Sequence, residues 1–210
     1  MLNIGVVKLL MNTREGGRGF ESANVKKVID EYGKIKTEWR IWKYPKMESW
    51  AQKQLHYLHH VLGWSIEKVK DLGIFEKPSL LWIPGNILLN EGINLVWTLV
   101  CGGSGTPFNN ANAYIGVGDS STAESATQTG LLGTNVAYKG MDSGYPQYGS
   151  NQQAKWQSTF GGDEANFTWN EITVANGSSN AATNLNRKVQ SLGTKASGTT
   201  WVAQLTITLS

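Results

Sequence analysis

Cysteine is almost absent from this 210-residue chain, and Cys101 is the single example. No intrachain disulfide is therefore open to it, and a chain of this length can bury a core without such staples. A lone thiol also says nothing about the redox compartment, and a buried or idle side chain is its simplest reading. Histidine is equally scarce: His56, His59 and His60 are the three, all in one short stretch. Long apolar runs are missing, since no segment reaches the ~18 residues of a membrane span. The opening MLNIGVVKLLMN is interrupted by Lys8 and Asn12, so it lacks the core of a secretory signal. These absences predict a product soluble in the cytoplasm in which it is made, with no membrane partner. No repeat of about 20 to 50 residues is visible, which disfavours a solenoid or propeller.

Charge is sparse and unevenly placed. Nineteen basic residues against sixteen acidic ones give +3. Residues 1–100 hold 14 basic and 10 acidic residues, and residues 101–210 only 5 and 6. The small excess in the first half forms no stripe, so no specific nucleic-acid partner is expected.

The chain changes character between Ile87 and Ser120. Ile93, Val96, Trp97 and Val100 fall at i, i+3, i+4 and i+7, the spacing of one helical face, and such a stripe is expected to dock on apolar surface. Cys101-Gly102-Gly103-Ser104-Gly105 then ends the helix, because glycine adopts the left-handed conformation that satisfies terminal carbonyls. Ala113, Ile115 and Val117 next alternate with Asn112, Tyr114 and Gly116, the period of a strand.

Before that hinge the reading is mixed. Three glycines among residues 16 to 19 make residues 1–19 either a flexible arm or a frayed terminus. Ser22 is placed to cap a helix carrying Val25, Val28, Ile29 and Tyr32 and ending near Gly33. Thr37 to Tyr44 alternates as a strand with aromatics on both faces: Trp39 and Ile41 on one, Trp42 and Tyr44 on the other. Such a strand is either sandwiched between two layers or presents an aromatic face to a partner. A helix from Met47 to Leu62 has Ala51, Leu55, Leu58 and Leu62 as its apolar stripe, and Ser65 caps a short helix ending near Gly73. Trp64 and Val69 form the hydrophobic staple of that second helix. Two turns carrying only Lys68 and Lys70 are too little for a DNA-recognition helix. Leu80 to Ile83 reads as a buried strand stopped by Pro84-Gly85.

After the hinge, strands dominate. Trp201, Ala203, Leu205, Ile207 and Leu209 alternate with Thr200, Val202, Gln204, Thr206 and Thr208, so one face is buried and the other mostly hydroxyl-bearing. Lys155 to Phe160 gives another strand. From Phe167 and Trp169 to Ile172 and Val174 the apolar phase switches, which places a bulge near Asn170-Glu171. Weaker strands are read at Val136 to Met141 and Leu185 to Leu192. The expected class is α+β: a flexible arm over 1–19, a mixed helix and strand docking region over 20–105, and a mainly antiparallel β-sandwich over 106–210, jelly-roll or immunoglobulin-like.

No residue set carries a visible chemistry. His56 and His60 lie one turn apart and can share a metal, yet Tyr57 stands where a zincin needs Glu, and His59 continues the Leu55 stripe. Gly116-Val117-Gly118-Asp119 resembles a dinucleotide fingerprint, but Ser121 replaces the third glycine and no parallel unit surrounds it, so a tight turn explains both glycines. Asp163, Glu164 and Glu171 are candidates for a glycosidase acid pair, although the first two look like a solvated turn beside Gly161-Gly162. Asn166-Phe167-Thr168 is a glycosylation sequon without a secretory route. The reading is therefore no catalytic, cofactor or metal residues, no cofactor, and no enzyme.

Five segments carry a likeness: NILLNEGINLVW, NNANAYIGVGDSSTAESATQTGL, FTWNEITVAN, LNRK and TWVAQLTITLS. Over about residues 85–210 the chain resembles a group of structural proteins of tailed-bacteriophage virions. The resemblance implies a capsid decoration, head-fibre, neck or tail component, whose partners are other virion proteins and copies of itself, located in the virion. The alternative is a carbohydrate-binding sandwich used on the host surface, with Tyr114, Tyr145 or Tyr148 stacking on a glycan.

Overall fold

The structure is a computed structural model that describes residues 35–46, 49–71 and 78–210. The expected arm at 1–19 and the helix placed near Ser22 to Gly33 fall outside the described residues. Ten strands and three α-helices follow in order: β1 (Ile35–Tyr44), α1 (Ser49–His56), a π-helical turn (Tyr57–Val61), α2 (Ile66–Lys70), β2 (Ser79–Pro84), β3 (Ile87–Leu88), α3 (Asn90–Val100), β4 (Tyr114–Gly118), β5 (Val136–Gly140), β6 (Gln147–Ser150), β7 (Gln153–Phe160), β8 (Thr168–Ala175), β9 (Asn186–Thr194) and β10 (Thr200–Leu209).

The strands form two five-stranded sheets, ordered β2-β1-β10-β7-β6 and β3-β9-β8-β4-β5, with antiparallel pairings throughout. Their inner faces share one core. Trp39, Ile41, Trp156, Phe160, Trp201, Ala203 and Leu205 from the first sheet meet Ile115, Val117, Trp169, Ile172, Val174 and Leu192 from the second. Phe160, Trp169 and Trp201 stack edge to face in sequence, with ring centroids 4.8 Å apart at each step. This is the geometry that the ring quadrupole favours.

The division at residue 105 does not hold for the described chain. β1 pairs along its full length with β10, from Ile35 opposite Leu209 to Tyr44 opposite Thr200. β2 continues the same sheet, and β3 edges the other. Residues 35–210 accordingly form one compact unit. The helix and strand mixture of the first half misled because β1 is separated from its partner by more than 150 residues, a pairing that no local pattern reveals. In place of an α+β docking region, the described residues are mainly antiparallel β with a small helical layer.

That layer explains the two-faced strand. Trp39 and Ile41 enter the main core, while Trp42 and Tyr44 point outward and pack with Leu55, Val69 and Val202 in a second cluster. Ser65 caps α2 by accepting from the Lys68 backbone N–H at 3.1 Å, and Trp64 packs against the same cluster as Val69. The π-helical turn changes the phase of the preceding helix. A turn wider than 3.6 residues rotates its successors, so Leu62 faces solvent and leaves the expected stripe.

Two strand readings change. β2 is an edge strand with Ile83 alone buried, while Leu80 and Trp82 are exposed. A run of four apolar residues looks the same on an edge as in a centre. β6 was not anticipated; it is four exposed residues, QYGS, joined to β7 through Asn151 and Gln152, both at positive φ, as the mirror-image hairpin turn requires. The register of β8 on β9 shifts between Trp169 and Glu171, where the apolar phase switch placed a bulge.

Helix α3 docks by the face opposite to the one expected. Gly92 is buried, and a Cβ there would lie 2.5 Å from Leu185 Cα and 2.6 Å from the Asn184 carbonyl oxygen. Only a bare backbone fits, so the helix lies directly on the segment before β9. Glu91 fixes the contact by accepting from the Asn184 N–H at 2.7 Å. Replacing Gly92 with alanine is expected to cost about 1 to 3 kcal/mol through overpacking, despite the better helix propensity. Urea denaturation of the variant beside the parent measures it; an unchanged or raised midpoint refutes the close approach.

Candidate functional site

With α3 held by Gly92, Glu91 and Leu95, the last packed against the main core, Val96, Trp97 and Val100 are left outward. Val96 is 37 % exposed, Trp97 61 % and Val100 68 %. They form one wall of a groove of about 950 Å³ at the end of the sandwich, together with Ile93. The other walls come from both sheets: Ile35 from β1, Ile207 and Leu209 from β10, Ala154 and Trp156 from β7, Leu88 from β3, and Leu185 and Phe108 from flanking loops. Its rim is the β6–β7 hairpin, Gly149 to Gln153.

Each wall has a local cause. The pairing of Ile35 with Leu209 brings two exposed apolar residues side by side at the sheet end. Trp156 is fixed by donating its indole N–H to the Phe108 carbonyl at 3.0 Å. The hairpin is tied to the last strand where the Leu209 N–H donates to the Gln152 carbonyl at 3.0 Å. Among the described residues, none of the groove lining is ionisable. Such a surface offers no anchor to a charged ligand and no general acid or base, and it suits another apolar surface.

The sequence-derived candidates lie elsewhere and apart. Glu171 is fully buried and paired with Arg187, also fully buried, at 2.6 Å. Its carboxylate also accepts from the backbone N–H groups of Leu132 at 3.0 Å and Gly133 at 2.7 Å. Arg187 donates onward to the Thr122 carbonyl at 3.1 Å and to Gln128 Oε1 at 2.9 Å. The pair thus pins the long loop between β4 and β5 to the second sheet, and Glu171 is not available as half of an acid pair. Asp163 and Glu164 sit in the turn after β7. Glu164 accepts from the Gly161 N–H at 2.7 Å and from Lys139. Burial pushes its carboxyl up, but Lys139 and the Gly161 N–H outweigh this and hold it below the usual range. Gly116 and Gly118 lie inside β4 rather than in a turn after it; a Cβ at 116 would meet the Tyr138 ring at 2.6 Å. Asn166 closes its own loop by donating to the Gly162 carbonyl.

The three tyrosines share no platform. Tyr114 belongs to β4 of the second sheet and is half-buried, whereas Tyr145 sits beside the first sheet within 3.4 Å of Gln204 Nε2. Tyr148 on β6 is 77 % exposed.

The histidines gather on the outer face of the first sheet, against Trp42 and Tyr44. Tyr44 Oη lies 2.8 Å from His60 Nε2, His56 Nε2 lies 3.2 Å from Thr159 Oγ1, and His59 Nδ1 donates to the Trp64 carbonyl at 2.7 Å. Ring centroids of His59 and His60 are 4.5 Å apart, and those of His56 and His60 5.0 Å. No group of three or more metal-ligating side chains is found among the described residues. Cys101 is exposed at the end of α3, not buried.

Sequence reasoning missed Arg187 and the true docking face of α3. The LNRK segment offers no hint that its arginine turns inward, and glycine has no side chain for a periodicity to count. Comparison with protein-family models, curated proteins and solved structures finds no match.

The buried pair gives a direct expectation. Glu171→Ala leaves the Arg187 charge uncompensated and frees two backbone N–H groups, which is expected to cost about 3 to 5 kcal/mol. Equilibrium denaturation reads the loss, and proteolysis within residues 119–135 should rise with it. A cost below about 1 kcal/mol would show that the pair does not hold the loop.

Proposed function

We propose that the chain is a non-enzymatic structural protein of a tailed-bacteriophage virion, a capsid decoration or another head, neck or tail accessory component, that assembles as a symmetric oligomer. The observation that carries this reading is the groove beside α3. It is large, apolar and free of ionisable groups, and Trp97 and Val100 stand exposed on its wall. Apolar patches of this kind on a folded chain mark association surfaces. Large aromatics in such a patch contribute most of the binding energy when covered. The occupant is a second copy of the chain, repeated around the symmetry axis of the site, as a trimer or larger ring.

The strand order adds support. The first described strand pairs with the last, β3 pairs with the penultimate β9, and β4 pairs with β8. Nested pairing of first with last strands is a feature shared with jelly-rolls, which are recurrent in viral shells. That is an analogy of fold, and the surface chemistry carries the functional argument. The resemblance of residues 85–210 to virion proteins points the same way.

Two measurements test the proposal. Sedimentation of the intact chain should give a closed oligomer, and the Trp97→Asp/Val100→Asp variant should be a folded monomer with an unchanged unfolding midpoint. An intact chain that stays monomeric at all concentrations, or a variant of unchanged mass, refutes assembly through α3. Mass spectrometry of density-purified particles of the encoding phage should recover the chain in fixed stoichiometry. Its recovery in the lysate alone would refute the virion assignment.

A further inference from the structure

The histidine cluster stands outside everything the groove does. His59 and His60 lie in a π-helical turn, Tyr57–Val61, a backbone form that often marks functional positions, and His56 ends α1 just before it. Three imidazoles within one helical turn are pressed against the outer face of a sheet, and each is engaged in a hydrogen bond. Thr159 Oγ1 donates to Asp142 Oδ2 at 2.8 Å, so it is the acceptor for His56 Nε2–H. The Trp64 carbonyl takes a proton only from His59 Nδ1. His60 Nε2 lies 2.8 Å from the hydroxyl of the buried Tyr44, which can donate to it or accept from it.

We propose that this histidine cluster forms an acid-sensitive latch, in which protonation of His56 and His60 releases the α1–α2 layer from the outer face of the first sheet and uncovers Trp42, Tyr44 and Val202. Protonating both ring nitrogens of His60 leaves it unable to accept from the Tyr44 hydroxyl. It also places a positive charge 4.5 to 5.0 Å from two other imidazoles. The groups facing the cluster supply little compensation. β1 contributes Trp42 and Tyr44, and β10 contributes Val202. Beyond β7 stands Asp142, already accepting from the Thr159 N–H and hydroxyl and from Gln157. From α2, Lys68 lays its ammonium over the Trp64 ring and adds further positive charge.

The sign follows from linkage. Burial, then His59 and His56, hold His60 down to about 3. Burial also lowers His56, with Asp142 opposing and His59 assisting. A released layer returns both rings to the ordinary value of about 6.5, so below it the released layer binds more protons than the docked one, through His60 down to about 3. The stabilisation of the docked layer by this linkage is full above about pH 6.5, and each unit below it favours release about tenfold through His60, with His56 adding in the same direction.

Hydrogen–deuterium exchange on the full chain tests this, with rates corrected for intrinsic pH dependence, between about pH 7.5 and about pH 5. Protection of residues 53–70 should fall at least tenfold while β8 and β9 keep theirs, and His56→Gln/His60→Gln should abolish the difference. Unchanged protection in the intact chain, or equal loss in β8, overturns the latch. Should the variant lose protection in β8 as well, imidazole NMR of the intact chain decides. Rings that stay neutral until the Trp42 indole signal moves support it, and rings that titrate near the ordinary value with the layer still docked overturn it.

Discussion

The pairing of β1 with β10 is the constraint on which the rest depends. Ten consecutive residues on each strand are in register, so the first described strand and the last lie side by side at the centre of a sheet. A central strand must satisfy two faces. β1 does so by sending Trp39 and Ile41 into the shared core and Trp42 and Tyr44 under the helical layer. The same register sets Ile35 against Leu209 at the end of the sheet as the described residues form it. The apolar floor of the groove is therefore a by-product of the pairing that closes the sandwich.

Charge and apolar surface are kept in separate places. The second half has only eleven charged residues, and two of them, Glu171 and Arg187, form the buried pair that organises the β4–β5 loop. Buried pairs gain little net stability over apolar substitutes but punish any single loss, so they specify one arrangement. The groove at the sandwich end has the opposite character, with no ionisable lining and a tryptophan left in solvent. In the second sheet a charged pair thus serves internal order, while apolar surface is left outside at the sandwich end.

What the sequence discloses follows the range of the interaction. Strict alternation places β4, β7 and β10 with their buried faces, the phase switch locates the irregularity at Trp169–Glu171, and Ser65 with Trp64 and Val69 places α2. Aromatics on both sides of Trp39–Tyr44 foretell a strand covered twice. Non-local facts stay hidden. Nothing near Ile35 names β10 as its partner, so the boundary at residue 105 goes astray. The large stripe of α3 masks the small face that docks, because Gly92 contributes by having no side chain. The π-helical turn reorders the face of the preceding helix, and the inward turn of Arg187 needs Glu171 opposite to explain it. The groove is legible only after these are known, since its walls come from seven separate segments.

The most direct test of this account is the folding of a chain that begins at Cys101. It retains β4 to β10, the segment that carries most of the strand periodicity, and lacks β1, β2, β3 and α3. With β10 stripped of its partner and Trp201, Ala203 and Leu205 opened at the sheet edge, circular dichroism and urea titration should show no cooperative transition. A cooperative unfolding curve, with dispersed amide signals, would mean that residues 101–210 are a domain in their own right and that the β1–β10 pairing does not hold the structure together.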